Sequence, residues 1–307
     1  MGKTSIAWTA GDDGSSGASW NPIRGCSRIS EGCRNCFAER MAARFCGPGQ
    51  PYHGLAKRTK DGPRWTGEVR VIKEHLEDPL HWTRPRRIFV NSMSDLFHER
   101  LAEDAIARVF DVMRRAPRHA FQVLTKRAKR MREWMGRNYR NPLGNVWLGV
   151  SVENQRAANE RIPDLLATPA AVRWLSVEPQ LGSVVLRPEW LAGLHWVVVG
   201  GESGPGARPF DVGWARALVA QCRAAGVAVF VKQLGANSQA DYYDESARAV
   251  YAAESVEWPD PIGWHDGDGQ PRPGCSPVRF RTLDRAGADP SEWPEDLRVR
   301  QFPGGGR

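Results

Sequence analysis

Cys26, Cys33 and Cys36 fall within eleven residues, spaced C-x6-C-x2-C, in a stretch broken by Pro22, Gly25 and Gly32. Thiolates are the ligands of soft metals, and three converging from one loop make a metal site. A structural zinc site is normally closed by four protein ligands, whereas a 4Fe–4S cluster held by three thiolates keeps one iron open for chemistry. Two other readings stand beside the cluster. One is a zinc knuckle completed by His53; the other is a set of inert buried thiols, which behave as small hydrophobes. Phe37 and a helical pattern over Ala38–Phe45 follow the last cysteine at once.

The elements that must position this loop are legible from periodicity. Ile6–Trp8 or Ser19–Trp20 supplies a short first strand feeding the cysteines. Beyond residues 46–67, a Gly-, Pro- and charge-rich excursion, short apolar runs alternate with amphipathic stretches. The runs are Arg87–Val90, Ala120–Leu124, Val146–Val150, Arg173–Val177, His195–Val199 and Val227–Val231. Helical patterns lie over Leu101–Arg114, Lys126–Arg137, Gln155–Leu166 and Val212–Ala225. Apolar runs separated by helices predict parallel strands buried on both faces, and six or seven such units suit a barrel, complete or partial. No G-x-G-x-x-G follows the first strand, which disfavours a dinucleotide-binding sheet. After Gly235 the rhythm stops, so residues 1–235 are expected to form the barrel and 236–307 an irregular extension packing on or covering it.

In a parallel barrel the chemistry gathers where the strands end. After Val90 come Asn91, Ser92, Ser94, Asp95 and His98; after Leu124, Thr125, Lys126 and Arg127. After Val150 come Ser151, Glu153 and Asn154; after Val177, Glu178; after Val199, Gly200, Gly201 and Glu202; after Val231, Lys232 and Gln233. Glu153–Asn154 also suits a helix cap and Lys126–Arg127 a solvated first turn. The glycines of 200–206 would let backbone amides approach a ligand closely.

The stretch Trp20-Asn21-Pro22 through Cys36-Phe37-Ala38-Glu39-Arg40 resembles a phage- and prophage-associated family of three-cysteine proteins of uncharacterised function, related to the radical S-adenosylmethionine (SAM) enzymes. The likeness continues through Ser92–His98, Leu124–Arg127, Gly149–Asn154, Ser176–Pro179, Gly200–Gly204 and Val231–Gly235. The resemblance implies an α/β fold of the open (β/α)6 partial-barrel type, a 4Fe–4S cluster on Cys26, Cys33 and Cys36, and SAM as second cofactor. The commonest radical SAM spacing is C-x3-C-x2-C; here the first gap is six. Ser92, Ser94 and Asp95 would then accept from the SAM ammonium, Ser151 and Glu153 would meet the ribose, and Phe37, Gly200 and Gly201 the adenine. Glu202 would accept from ammonium or hydroxyl donors. Lys126, Glu178, Lys232 and Gln233, with Arg127 and His98, remain for the substrate, and Cys46 or a tyrosine for returning hydrogen.

The 307 residues carry a net charge of +8, unevenly placed. Residues 1–140 hold 27 Lys and Arg against 15 Asp and Glu, and the remainder 16 against 20. A basic half suggests an anionic partner, and nucleic acid leads, with Lys126, Arg127, Lys129, Arg130 and Arg132 as phosphate contacts. The expected substrate is a DNA base or modified nucleotide, changed by isomerase- or lyase-type chemistry, with flavodoxin or ferredoxin as reductant. A small metabolite or peptide substrate, a non-catalytic zinc-binding nucleic-acid-binding protein and a degenerate barrel serving as a phage interaction protein are the alternatives. No run is long and apolar enough for a membrane span or signal region, so a cytoplasmic protein is expected (host cytoplasm if phage-encoded), where clustered thiols favour metal over disulfide.

Overall fold

The computed structural model describes residues 4, 6–11, 14–242, 276–279, 284 and 286–303. The chain divides into two compact units, one of Met1–Ser151 with Asn159–Ser176, the other of Val152–Ala158 with Val177–Gly305.

The first unit opens with β1 (Ala18–Trp20) and β2 (Ile23–Arg24), then the cysteine loop and α1 (Phe37–Arg44). A hairpin of β3 (Ala56–Thr59) and β4 (Gly62–Trp65) follows, and β5 (Arg70–Val71) pairs antiparallel with β2. From there strand and helix alternate: β6 (Arg87–Val90), α2 (Glu103–Arg115), β7 (Ala120–Thr125), α3 (Ala128–Asn138), β8 (Val146–Ser151), α4 (Gln155–Leu166) and β9 (Val172–Val177). The second unit carries α5 (Pro188–Leu191), β10 (Trp196–Gly200), β11 (Phe210–Asp211), α6 (Val212–Ala224), β12 (Ala228–Gln233), β13 (Ser238–Tyr242) and β14 (Ser276–Arg279).

Seven strands make one sheet in the order β1-β6-β7-β8-β9-β10-β12, a mixed α/β fold consistent with the expected partial barrel. The pairs β1–β6, β6–β7, β7–β8, β8–β9 and β10–β12 are parallel, Val90 lying beside Val123 and Thr125 beside Val150. Residues that follow β6 and β7 therefore leave the sheet along the same edge. Every residue of β8 is buried, as a strand covered on both faces requires. In α2 the buried positions Ala105, Ile106, Val109, Phe110, Val112 and Met113 follow the helical period, with acids in its first turn and arginines in its last. Cys222, buried in α6, is core as expected.

Three expectations change. Ala7–Thr9 is a 3-10 turn, not a strand, and Ala18–Trp20 takes the edge beside β6. The excursion over 46–67 contains the β3–β4 hairpin. Beyond residue 235 the chain is not wholly irregular: β13 pairs with β11 and β14. Tyr243, Tyr251, Trp258, Trp264, Cys275 and the terminal Gly-Gly-Gly-Arg lie outside the described residues. Among the described residues no helix is long and apolar enough to cross a membrane.

Gly149 in β8 has no room for a side chain, because a Cβ there would lie 2.4 Å from the Trp174 ring. Trp174 is fully buried and rests against Trp8, their ring centroids 5.2 Å apart. Gly149→Ala should therefore cost about 1–3 kcal/mol through overpacking. Chemical denaturation checks it, and an unchanged midpoint would refute this packing.

Candidate functional site

The cysteine loop leaves β2 through Gly25, whose φ of 94° and position against Glu68 leave no alternative residue. A Cβ there would meet the Glu68 carbonyl oxygen at 2.1 Å. Cys26 and Cys36 then pack, with Cys46, Tyr52 and Met93, against a small core of Ala38, Ala42, Ala56 and Trp65. Cys33 closes a 3-10 turn over Glu31–Cys33, and Cys36 is the N-cap of α1. Burial pushes the Cys26 thiol up to about 12, with Asp95 adding to the effect, Arg127 opposing it, and Cys36 and Cys33 raising it further. Burial also raises Cys36, opposed by the backbone amide of Glu39 and the charge of Lys126, with Cys33 again raising it. Thiols close enough to resist one another's ionisation are soft donors whose protons a bound cationic group would displace. The resemblance-implied cluster therefore fits the chemistry of this loop.

Glu39, which no motif reading singled out, holds the loop shut. It is 1% exposed, receives bidentate bonds from Arg28 of the cysteine loop, and accepts from the Trp65 amide at 2.8 Å. One carboxylate thus joins the loop, α1 and the hairpin. Its signal in sequence was an acidic residue amid apolar helix positions, Phe-Ala-Glu-Arg-Met-Ala-Ala.

The loop after β6 is stitched to the cysteines from the other side. Asn21 Oδ1 accepts from the Ser92 hydroxyl (3.2 Å) and the Met93 amide (3.1 Å), and Ser94 donates to the Ile23 carbonyl at 2.9 Å. Asp95 sits deeper. Its Oδ1 accepts from the Phe97 amide (2.9 Å) and Thr125 hydroxyl (2.7 Å), its Oδ2 from the Lys126 amide (3.2 Å) and Arg127 Nη1 (3.0 Å). Four protein donors occupy this carboxylate, which makes it an organiser of the wall.

Arg127 extends the network. It donates through Nε to Glu99 at 2.8 Å and through Nη2 to the Ser27 hydroxyl at 2.8 Å, while Nη1 lies 4.0 Å from the Cys26 sulfur. His98 Nδ1 accepts the Arg100 amide at 3.2 Å, so its proton sits on Nε2 and is donated to Ser27 Oγ at 2.9 Å. Burial and the Arg127 charge hold His98 below its usual range, which keeps it neutral.

Asn91 follows β6 directly; in the sequence it is only one of the polar residues there, with no role given to it. It is 3% exposed, has a φ of 61°, and both polar atoms of its side chain lack a hydrogen-bond partner. Each such buried orphan costs about 1–3 kcal/mol. A buried amide with both polar atoms unpartnered, on a backbone bonded to the Trp20 carbonyl, is a candidate ligand contact.

Phe37, the first residue of α1, is 63% exposed. Ser151 is buried at the end of β8, its carbonyl accepting from Arg161 at 2.8 Å. The remaining candidates belong to the second unit. Glu178 accepts from Lys232 and, at 3.2 Å, from Gln233, whose amide also donates to the Gly201 carbonyl. A Cβ on Gly200 would lie 3.5 Å from Glu178, and one on Gly201 would meet the Leu234 carbonyl oxygen at 2.3 Å. Glu202 is paired with Arg208, and Glu153 is buried with its carbonyl bonded to Leu181.

The basic run is largely committed inside the fold. Arg127 is 7% exposed, Arg130 donates to the carbonyls of Phe97, His98 and Leu101, and Arg132 pairs with Asp164. Arg127 and Arg130 help line a cleft of about 530 Å³ that also holds Glu99, Glu103, Glu133, Glu160 and Asp164. A groove so balanced in charge is a poor phosphate track.

A family model described as "Protein of unknown function (DUF5131)" matches residues 3–276. No curated protein and no solved structure matches the chain.

Asp95→Asn should destabilise the protein by about 3–5 kcal/mol, because it leaves the buried Arg127 guanidinium without its buried counter-charge. Arg127→Met with Asp95→Asn should lose less than the two single changes together. Urea midpoints of the three variants measure this; additive losses would mean that the pair is not coupled.

Proposed function

The chain belongs to the DUF5131 family, and we propose that it is a radical SAM enzyme whose cysteine loop holds a 4Fe–4S cluster and whose substrate is a nucleic-acid base or base substituent. When bound, such a cluster offers an open iron to SAM and supplies the electron that splits it into methionine and the radical that takes a substrate hydrogen. The observation that carries the reading is the set of three thiols: Cys26 and Cys36 half-buried against the same small core, Cys33 near enough to raise both, with Arg127 and Lys126 facing them. Among the described residues no three His, Cys, Asp or Glu side chains stand close enough to hold a single ion. Cubane ligands attach to separate irons and need not meet at one point, so that finding does not count against a cluster.

The chain's own residues then have definite tasks. Arg127 places a donor beside the Cys26 sulfur, a contact of the kind that tunes cluster potentials. Asn91, with a donor and an acceptor unsatisfied, would meet the carboxylate and ammonium of SAM. Ser92 and Ser94 fix the loop that carries it, and Asp95 acts through Arg127 and Thr125. Exposed Phe37 offers an aromatic face for adenine. In the second unit, Glu178 with Lys232 and Gln233 forms the group proposed for substrate proton traffic, and Glu202 is held by Arg208. The basic first half and the phage-associated resemblance favour DNA as the source of the base, with an isomerase- or lyase-type outcome and a flavodoxin or ferredoxin reductant in the cytoplasm.

Anaerobic reconstitution with iron and sulfide should give brown protein with a broad band near 400 nm. Single Cys→Ala changes at 26, 33 and 36 should each lose most of the iron, while Cys222→Ala retains it. Colourless protein that takes up zinc instead would overturn the cluster.

Asn91→Gly separates a ligand contact from a structural one. Glycine accepts the positive φ and removes two orphaned atoms, so the melting temperature should not fall. SAM affinity of the iron-loaded variant should drop about tenfold, equivalent to about 1.4 kcal/mol. Unchanged affinity would remove Asn91 from the site.

A further inference from the structure

We infer that the face built by α1 and the β3–β4 hairpin is a binding surface for single-stranded nucleic acid. Residues 24–65 hold nine Lys and Arg against three Asp and Glu, a net +6 in a chain whose total is +8. One of the three acids, Glu39, is buried in its pair with Arg28 and contributes nothing outward.

Three cations of the hairpin differ from Arg127 and Arg132 in making no ion pair among the described residues. Lys57 and Arg64 stand directly opposite each other across the hairpin, and Lys60 is in its two-residue turn. Like charges facing across an antiparallel pair destabilise it. Among the described residues none of the three makes an ion pair, and Lys57 and Lys60 are exposed. Arg58, on the other face of the ribbon, spends its guanidinium on the Ala43 and Arg44 carbonyls at the end of α1, which fixes hairpin to helix. Arg34 and Arg44 add exposed positive charge on the loop and helix.

Between these cations lie large apolar groups that the fold leaves uncovered. Phe37 is 63% exposed at the start of α1 and Phe45 44% exposed at its end, about 12 Å apart at 1.5 Å per residue. Charge that tracks a backbone, interleaved with rings on which unpaired bases stack, is the recognition chemistry of single strands. An acidic protein surface would satisfy the cations but gives no reason for isolated aromatic rings. Cys36 caps the same helix, so a base resting on Phe37 lies next to the cysteine loop. The inference takes its substrate class from the proposed function, but the binding itself needs neither cluster nor SAM.

Fluorescence anisotropy of a short labelled single-stranded DNA with the full chain, over a salt series, tests it, with iron measured on the same samples. The parent should bind at low salt and weaken as salt rises. Lys57→Glu with Lys60→Glu should reduce affinity at least about tenfold and flatten the log–log salt slope by about 1.4, two phosphates at about 0.7 each. Phe45→Ala should weaken binding about fivefold or more without moving that slope. Lys129→Glu on α3 should change affinity by less than about twofold. Equal losses from Lys129→Glu and the hairpin pair, no effect from the hairpin pair, or no binding by the parent would each overturn the inference, the last favouring an acidic protein partner. Hairpin-dependent binding by protein that takes up no iron would leave the surface standing and remove the cluster.

Discussion

The arrangement around the cysteines depends on one buried ion pair, Asp95 with Arg127. The two side chains are 8% and 5% exposed, and each would be costly to bury alone. Together they tie three segments distant in sequence: Asp95 sits on the loop after β6, its acceptors are filled from the end of β7, and Arg127 reaches Ser27 and the Cys26 sulfur. A parallel sheet puts the ends of β6 and β7 side by side but does not dictate what the emerging loops do. The pair turns that adjacency into a fixed wall, one side of which is the cysteine loop.

Glu39 performs the same service on the opposite side with the same economy. A single carboxylate on α1 answers Arg28 of the cysteine loop and the hairpin amide of Trp65. Between the two networks the cysteines are left with neighbours that either resist ionisation or favour it. Burial, Asp95 and the other thiols push one way; Arg127, Lys126 and the amides opening α1 push the other. The net of these opposing influences is upward for Cys26 and Cys36, so both thiols hold their protons in the isolated chain. With Arg127 and Arg130 of the basic run turned inward, positive charge meant for the outside must come from elsewhere in the chain.

The strands were legible because their residues are buried on both faces: β8 and β10 read as unbroken apolar runs, and their observed bounds shift by only a residue. The β3–β4 hairpin was not, since Ala-Lys-Arg-Thr-Lys-Asp-Gly-Pro-Arg-Trp buries only its end residues against α1, and its plainest signal was the Asp61-Gly62 dipeptide beside the Lys60–Asp61 turn. Cysteine spacing announced the loop. The roles of individual polar residues were harder: Asp95 reads in sequence as a free acceptor after a strand, and only its four donors show otherwise. Asn91 is the converse case, an unremarkable residue type whose importance lies in partners it does not have.

The networks also differ in how far along the chain they reach. Glu39 meets partners 11 and 26 residues away, whereas Ser27 and Arg127 are separated by 100 and Asn21 and Ser92 by 71. Closing a hundred-residue loop costs about 2 kcal/mol more chain entropy than closing one of eleven. Local contacts of this sort form early in folding, and distant ones later. The cysteine loop, α1 and the hairpin can therefore assemble as a small pre-formed clasp before the sheet edge arrives to cover it. During that interval the thiols are arranged but still accessible, and the later docking of the loop after β6 is what covers them.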